Sequence, residues 1–362
     1  LAEKQHPLIL VGVLDWGLGH AGRTIPVVKE LQRQGAKVVL AGAGRAGILL
    51  QKECPDLPYL ECPAYAVNYK GRNMFWAMFR QLPKIAAAIL REHRWLRRIQ
   101  GIYHFDAIIS DSRFGCFHPS VPSVMVAHQL NLLLKPRWIF TIVNWFYRQL
   151  LRRFDEIWVP DHPNGLSGKL STPSPFRNTR YLGWLSRMQP AAPAVKYELM
   201  VLLSGPEPQR SQLEEIILQQ LSNDLPALSA LLVQGKTEGH FKRRLANTNT
   251  EVISFLTGEE LSRALAQARF VLCRAGYSSL MDLAVLQKPA ILLPTPGQPE
   301  QEYLARHCAD SGWAYITREE ELDLKQAIRE VKEKHYRIAP GYLDHTGRLS
   351  QVISTFLHAL GK

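Results

Sequence analysis

Cysteine is scarce in this chain of 362 residues: Cys54, Cys62, Cys116, Cys273 and Cys308 are odd in number and scattered, with no CxxC pair. That excludes a disulfide framework and a zinc knuckle, and makes a reduced, cytoplasmic compartment the expectation. Long apolar runs are missing too. No stretch reaches the roughly 18 to 20 apolar residues that span a bilayer, and Leu1-Ala2-Glu3-Lys4-Gln5-His6 lacks the basic, apolar, small-residue order of a signal peptide. The expected chain is soluble or at most peripheral, cytoplasmic with attachment to the inner face of the plasma membrane. No Asp-x-Asp metal motif follows a strand-like run, so neither a catalytic metal nor a cofactor is expected. Acidic residues are outnumbered, 32 against 44 basic ones, and the net charge of +12 suits nucleic acid, an anionic membrane or an anionic small substrate. Without a helix-turn-helix, RNA-binding sheet motif or zinc module, nucleic acid ranks low.

What is present is globular: 46% of residues are hydrophobic and 21% charged, and the length suits two domains. Short apolar runs at residues 7–14, 37–41, 105–110, 122–127 and 156–160 alternate with helix-like stretches. The rhythm returns at 198–204, 227–234, 251–255, 270–274, 289–294 and 313–316. Continuous apolar strands between helices predict parallel sheets covered on both faces, hence two α/β domains. The Pro- and Ala-rich residues 189–195 read as a linker between an N-terminal domain, 1–188, and a C-terminal domain, 196–340. Residues 341–362 form a last segment whose apolar periodicity over 349–360 predicts a helix. In open α/β sheets ligands bind beyond the C-terminal strand ends, so two such Rossmann-like domains facing each other define a cleft.

Chemistry is sought in the loops after the strands. The first run leads into Asp15-Trp16-Gly17-Leu18-Gly19-His20-Ala21-Gly22-Arg23-Thr24. Gly17 and Gly19 are expected to permit positive φ and close approach of an acceptor, and His20 suits general-base work near neutral pH or merely satisfies local backbone. The spacing Gly17-x-Gly19-x-x-Gly22 also fits a dinucleotide fold, but the second strand ends without the carboxylate that a ribose there requires. Two later runs end in Ser110-Asp111-Ser112-Arg113 and Ala127-His128-Gln129-Leu130-Asn131. Asp111 and His128 stand behind His20 as candidate bases, with Asn131 near the acceptor; a capping histidine is the plain alternative for His128. In the second half, Ser204, Gly205 and Arg210 could serve a diphosphate, or form a simple turn. Arg274-Ala275-Gly276-Tyr277-Ser278-Ser279-Leu280-Met281-Asp282 opens a helix with small and hydroxyl residues, where free N–H groups suit a phosphate and Asp282 a ribose. Gln301 and Glu302 open another helix where sugar hydroxyls could bind, although carboxylates at a helix start are also simply favourable there.

Taken in order, these motifs resemble the GT-B glycosyltransferases, most nearly the branch of the peptidoglycan enzyme that moves N-acetylglucosamine onto a lipid-linked acceptor. That branch has a glycine-rich turn ending in histidine after its first strand, as at Gly17, Gly19 and His20. Its His-Glu-Gln-Asn segment reads His128-Gln129-Leu130-Asn131 here. Its Arg-Ser-Gly with a later Ser-Glu is matched by Arg274-Ala275-Gly276 and Met281-Asp282, which implies that Asp282 holds the ribose. Its Asp-Arg-Gln-Gln-Tyr is matched by Pro299-Glu300-Gln301-Glu302-Tyr303, which implies donor-sugar contacts for Gln301 and Glu302. Its Gly-Gly-Ser-Gln-Gly loop corresponds loosely to Ser204-Gly205-Pro206-Glu207-Pro208. Uncharacterised glycosyltransferases sharing a Gly-Gln-x-Glu-Gln segment are a nearer match. The resemblance implies a GT-B enzyme transferring a hexosyl or N-acetylhexosaminyl group from a UDP-linked donor to an acceptor hydroxyl, with inversion. A nucleotide-sugar 2-epimerase and a non-catalytic sugar-nucleotide-binding or membrane-adaptor subunit are the alternatives.

Basic residues cluster with aromatics in two segments of the first half. One holds Arg72, Arg80, Lys84, Arg91, Arg94, Arg97 and Arg98 with Phe75, Trp76, Phe79 and Trp95. The other holds Lys135, Arg137, Arg148, Arg152 and Arg153 with Trp138, Phe140, Trp145, Phe146 and Tyr147. Such pairing suits an anionic headgroup interface presenting a lipid-linked or glycolipid acceptor, or else a core face backed by a solvated one.

Overall fold

The computed structural model describes residues 6–65, 74–133, 137–188, 193–205, 207–236, 241–256, 258–334, 336 and 346–361, with side chains of 74–80, 137–140 and 346 left out. The chain forms two compact units, Leu1–Arg187 with Gly341–Lys362, and Met188–Pro340. Arg72, Phe75, Trp76, Phe79, Arg80, Lys135, Arg137, Trp138, Phe140 and Pro206 lie outside the described side chains.

The first unit holds β1 (Leu8–Val13), α1 (Leu18–Arg33), β2 (Lys37–Gly42), α2 (Gly44–Glu53), β3 (Tyr59–Glu61), α3 (Met74–Tyr103), β4 (Ala107–Asp111), β5 (Ser123–Val126), α4 (Arg137–Leu151), β6 (Glu156–Val159) and β7 (Thr179–Tyr181). Its strands form one sheet in the order β3-β2-β1-β4-β5-β6-β7, every pair parallel. The apolar run of β1 has a reason on each face. Ile9, Val11 and Val13 pack with Ala21, Ile25 and Val28 of α1, while Leu10 packs with Leu96 and Ile99 of α3. Burial of both faces removes the polar alternation of a solvent-facing strand.

The last helix, α10 (Thr346–Leu360), lies against this same unit. Leu349, Ile353 and Phe356 join the α1 layer, and the Phe356 ring meets Trp158 edge-on at 5.2 Å. Gln34 Nε2 donates to the Ser350 carbonyl at 2.9 Å, so α10 braces α1 from behind.

The second unit holds β8 (Tyr197–Leu202), α5 (Gln209–Asn223), β9 (Ala230–Val233), β10 (Lys242–Arg244), β11 (Thr250–Ile253), α6 (Gly258–Ala266), β12 (Ala268–Cys273), α7 (Tyr277–Val285), β13 (Ala290–Leu292), α8 (Pro299–Asp310), β14 (Ala314–Ile316) and α9 (Leu324–Lys334). Its sheet runs β10-β11-β9-β8-β12-β13-β14, parallel except where β10 meets β11. Each apolar run expected to be a strand carries one, and both sheets are α/β as expected. Three strands lacked a signal: β3, β7 and β10 have three residues each and sit at sheet edges, too short and too exposed for an apolar pattern.

Candidate functional site

In the first unit the chain runs from β1 outward to β2 and β3, then returns to place β4 on the other side of β1. The ends of β1 and β4 therefore diverge in their connections and leave a crevice at the C-terminal edge, where open α/β sheets hold ligands. Val13, the last residue of β1, is in register with Asp111, the last of β4. His20 enters from the first turn of α1 and His128 from the loop after β5, so three parallel strands deliver all three titratable candidates to one edge.

Asp111 is 1% exposed and fully engaged. Its Oδ1 lies 2.7 Å from His20 Nδ1, Arg23 Nε donates to Oδ2 at 2.6 Å, and Thr24 Oγ1 donates to Oδ2 at 3.0 Å. Arg23 Nη2 donates to Oδ1 as well. Burial alone would push this carboxyl up, but Arg23 and His20 together hold it well below the ordinary carboxylate range. It is thus an anion with no oxygen to spare. His20 is half-buried, and burial pushes its pKa down from the ordinary histidine value; Arg23 acts the same way and Asp111 opposes. The imidazole is neutral at neutral pH, as a base must be before it takes a proton. His128 Nδ1 accepts from Arg23 Nη1 at 2.8 Å.

The turn after β4 is held open for this purpose. Ser112 has φ 58, a left-handed conformation that disfavours a residue with a Cβ. It is fixed by its N–H donating to the Val126 carbonyl at 3.2 Å and by Arg23 Nη2 donating to its hydroxyl at 3.1 Å. Behind it, buried Arg113 pairs with buried Glu92 of α3 and donates to the Val13 carbonyl at 3.1 Å. Arg23, Thr24 and Ser112 went unnoticed in the sequence. The signal for Arg23 was its place three residues after His20, on the same helix face.

Other expected acceptor residues fall differently. Gly17 has φ 175 and caps α1, while Gly19 is helical, so positive φ is not their use. Space is: nothing lies within 4 Å of a Cβ built on Gly17. Asn131 is spent on structure. Its Nδ2 faces the carbonyls of Lys169 and Pro173, both at 3.3 Å, and its Oδ1 accepts from Arg148 Nη2 of α4 at 2.9 Å.

The second unit has its own switch point, since β9 flanks β8 on one side and β12 on the other. Ser204 and Gly205 follow β8 and are exposed; Gly205 has φ 103, which only glycine adopts at low cost. A Cβ on Gly205 would stand 4.0 Å from Thr295 Oγ1, so the turns after β8 and β13 meet. Between them α7 starts, capped by Gly276, which offers no side chain to the first-turn N–H groups. Leu280, Met281 and Ala284 of α7 are buried, while Ser278, Ser279 and Asp282 share its half-buried opposite face. Arg274 Nε, Thr295 Oγ1 and Gln209 Oε1 are buried with no hydrogen-bond partner among the described residues, all three just beyond β12, β13 and β8. Buried orphans of this kind mark a place where water or a ligand belongs.

Four expected donor contacts are committed elsewhere. Arg210 pairs with Glu207 and donates to the Gly235 carbonyl at 3.0 Å, tying two loops instead of offering charge to a diphosphate. The buried Arg274 guanidinium is paired with Glu319, because a cation at 1% exposure requires an anion beside it. Gln301 Oε1 accepts the Thr295 N–H at 2.9 Å, and Glu302 Oε1 accepts the Gly297 N–H at 3.2 Å. These two side chains brace the turn before α8 with those oxygens.

Residues 213–341 match the glycosyltransferase family 28 C-terminal domain. This stretch contains Arg274–Asp282, Gln301 and Glu302. Among curated proteins, the chain is 31% identical over 119 residues to the UDP-N-acetylglucosamine--N-acetylmuramyl-(pentapeptide) pyrophosphoryl-undecaprenol N-acetylglucosamine transferase of Histophilus somni; the alignment covers 33% of this chain and 31% of that protein. The chain thus spans about a third of that relative's length. An uncharacterized glycosyltransferase of Methanosarcina acetivorans is 22% identical over 362 positions, 90% of each chain. The fold is shared with the crystal structure of the kitacinnamycin glycotransferase at TM-score 0.71 and 14% identity, covering 98% of this chain and 100% of that one.

Proposed function

We propose that this chain, a GT-B protein carrying a glycosyltransferase family 28 C-terminal domain, is an inverting glycosyltransferase that moves a sugar from a UDP-sugar to an acceptor hydroxyl. The observation that carries the reading is the His20–Asp111 pair at the switch point of the first unit. A carboxylate bound at Nδ1 keeps the imidazole proton there and aims the Nε2 lone pair outward, the arrangement of a general base. Nε2 takes the acceptor proton as the hydroxyl oxygen attacks the anomeric carbon. One displacement with one base inverts that carbon, and the bond that breaks leaves its electrons on the diphosphate.

The leaving group is stabilised by the start of α7, whose first-turn N–H groups and positive dipole end favour an anion. Asp282 accepts from the ribose hydroxyls. Gly205, Ser204, Ser278 and Ser279 line the same edge, with the orphaned Arg274 Nε and Thr295 Oγ1 beneath. Gln301 and Glu302 turn what remains of their polar groups to the sugar.

The acceptor is lipid-linked or a glycolipid. Ile142, Trp145 and Phe146 of α4 are 51%, 57% and 61% exposed, and Arg152 and Arg153 in the turn just after the helix are exposed as well. Large apolar side chains left in water beside cations suit an anionic headgroup layer. The helix is pinned to the loop that carries His128, since Tyr147 donates to the Gln129 carbonyl at 2.7 Å and Asn144 brackets both backbone groups of Leu132 at 2.9 Å. Among the described residues no helix is long and apolar enough to cross a membrane, and the exposed face of α4 is the proposed point of attachment.

The test incubates the protein with radiolabelled UDP-sugars and a bacterial lipid extract. Label moving into the lipid phase, abolished by His20→Ala, is the expected result. Conversion of the sugar nucleotide without any acceptor would replace this reading with an epimerase.

A further inference from the structure

The function proposed above uses His20 and Asp111 and leaves the 2%-exposed Arg23 and its contact with His128 unexplained. We propose that Arg23 is a positioning residue that works beside Asp111 to set the two histidines in opposite tautomers: Asp111 holds the His20 proton on Nδ1, and Arg23 holds the His128 proton on Nε2.

Hydrogens available to each partner fix where each ring carries its proton. A guanidinium only donates, and an ionised carboxylate only accepts. His128 Nδ1 lies 2.8 Å from Arg23 Nη1, so that nitrogen presents a lone pair and the ring proton sits on Nε2. His20 Nδ1 lies 2.7 Å from Asp111 Oδ1, so the proton is on Nδ1 and Nε2 keeps its lone pair. Arg23 Nη2 is also 2.9 Å from His20 Nδ1, but its two hydrogens go to Asp111 Oδ1 and the Ser112 hydroxyl. Because ionised Asp111 cannot donate, its 2.7 Å contact still requires the proton on His20 Nδ1, and Arg23 acts on that ring as a neighbouring positive charge. Arg23, Asp111 and His128 are the charged or titratable groups that face His20, and Arg23 reaches His20, Asp111 and His128 alike.

The Arg23–Asp111 pair thus gives two like rings unlike work: His20 accepts a proton and His128 offers one. Lysine cannot substitute, because a single ammonium lacks the planar fork that spans two carboxylate oxygens and a ring nitrogen together. The catalytic consequence rests on the glycosyltransferase reading, whereas the tautomers do not.

Long-range 1H–15N correlation spectra of the full chain labelled on its histidines, at neutral pH, read the tautomers directly. Signals are assigned by their loss in His20→Gln and His128→Gln. The expected spectrum shows a protonated Nδ1 for His20 and a protonated Nε2 for His128; the same tautomer in both rings overturns the proposal, whatever the activity. In Arg23→Met and Arg23→Lys the His128 preference is expected to collapse to a mixture. Where UDP-sugar transfer is measurable, kcat falls roughly tenfold or more with donor KM little changed, and its acidic limb moves to higher pH as the cation beside His20 is lost or displaced. An unchanged tautomer pattern in either folded variant also overturns the proposal. Should Arg23→Met not fold, the wild-type spectrum and Arg23→Lys decide. Failure of every UDP-sugar to react, with the tautomers as stated, refutes the proposed reaction and leaves the role of Arg23 standing.

Discussion

Asp111 has no free lone pair, His20 is held at one nitrogen, and His128 accepts from Arg23, so in the proposed reaction His20 is the base and the other two are its supports. Replacing His20 with Ala is expected to lower kcat by roughly 10²–10⁴-fold, the usual span of a general base, while titration calorimetry finds the affinity for UDP unchanged. Acidity should also act on stability. The folded pKa of His20 lies below its unfolded value of 6.5, so its contribution is complete above pH 6.5 and is lost as pH falls through the folded pKa. Asp111 adds a second loss below its unfolded value of 3.8. Wild type is therefore expected to lose more Tm than His20→Gln between pH 7.5 and 5.5, and equal losses would contradict the assignment. At this scale the residue types His20, Asp111 and His128 were legible because polar groups stand out just after apolar strands. Their division of labour was not, since 91 positions separate His20 from Asp111 and only a folded sheet brings the two within hydrogen-bond reach.

At the scale of elements, α7 and α4 each carry one face to the core and one outward. Truncating Asp282 to Ala should weaken UDP binding by roughly 10- to 100-fold, the loss of one or two hydrogen bonds to a charged group. His20→Ala, measured beside it, should show no such loss. On α4, Trp145→Ser with Phe146→Ser should abolish co-sedimentation with anionic vesicles at low salt and leave Tm within about a degree, because side chains more than half exposed contribute little to folding. A large fall in Tm would make that face part of a packed interface instead. Both helices were expected from their place between strand-like runs, whereas the partners of Arg210, Asn131 and Arg274 were not legible there. A charged or amide side chain after a strand looks alike whether it faces a ligand or a neighbouring loop. Carbonyls and a carboxylate supplied from distant positions, those of Gly235, Lys169 and Glu319, meet those three side chains.

Across the whole molecule, α10 returns from the end of the chain to cover the core of the first unit. Phe356→Ala removes the ring that meets Trp158, and a buried aromatic truncation costs about 3–5 kcal/mol. Thermal denaturation should register that loss although the position is far in sequence from β1 and α1. The amino-acid sequence by itself determined the two largely parallel sheets, their central strands and the strand-end loops where chemistry gathers, because burial on both faces forces continuous apolar runs that survive in any local window. Only the tertiary structure decided that Arg23 links His20, Asp111 and His128, that Arg274 turns to Glu319, and that α10 belongs with α1. Those outcomes depend on strand order and on which buried charge finds its counterion, and neither is written in local spacing.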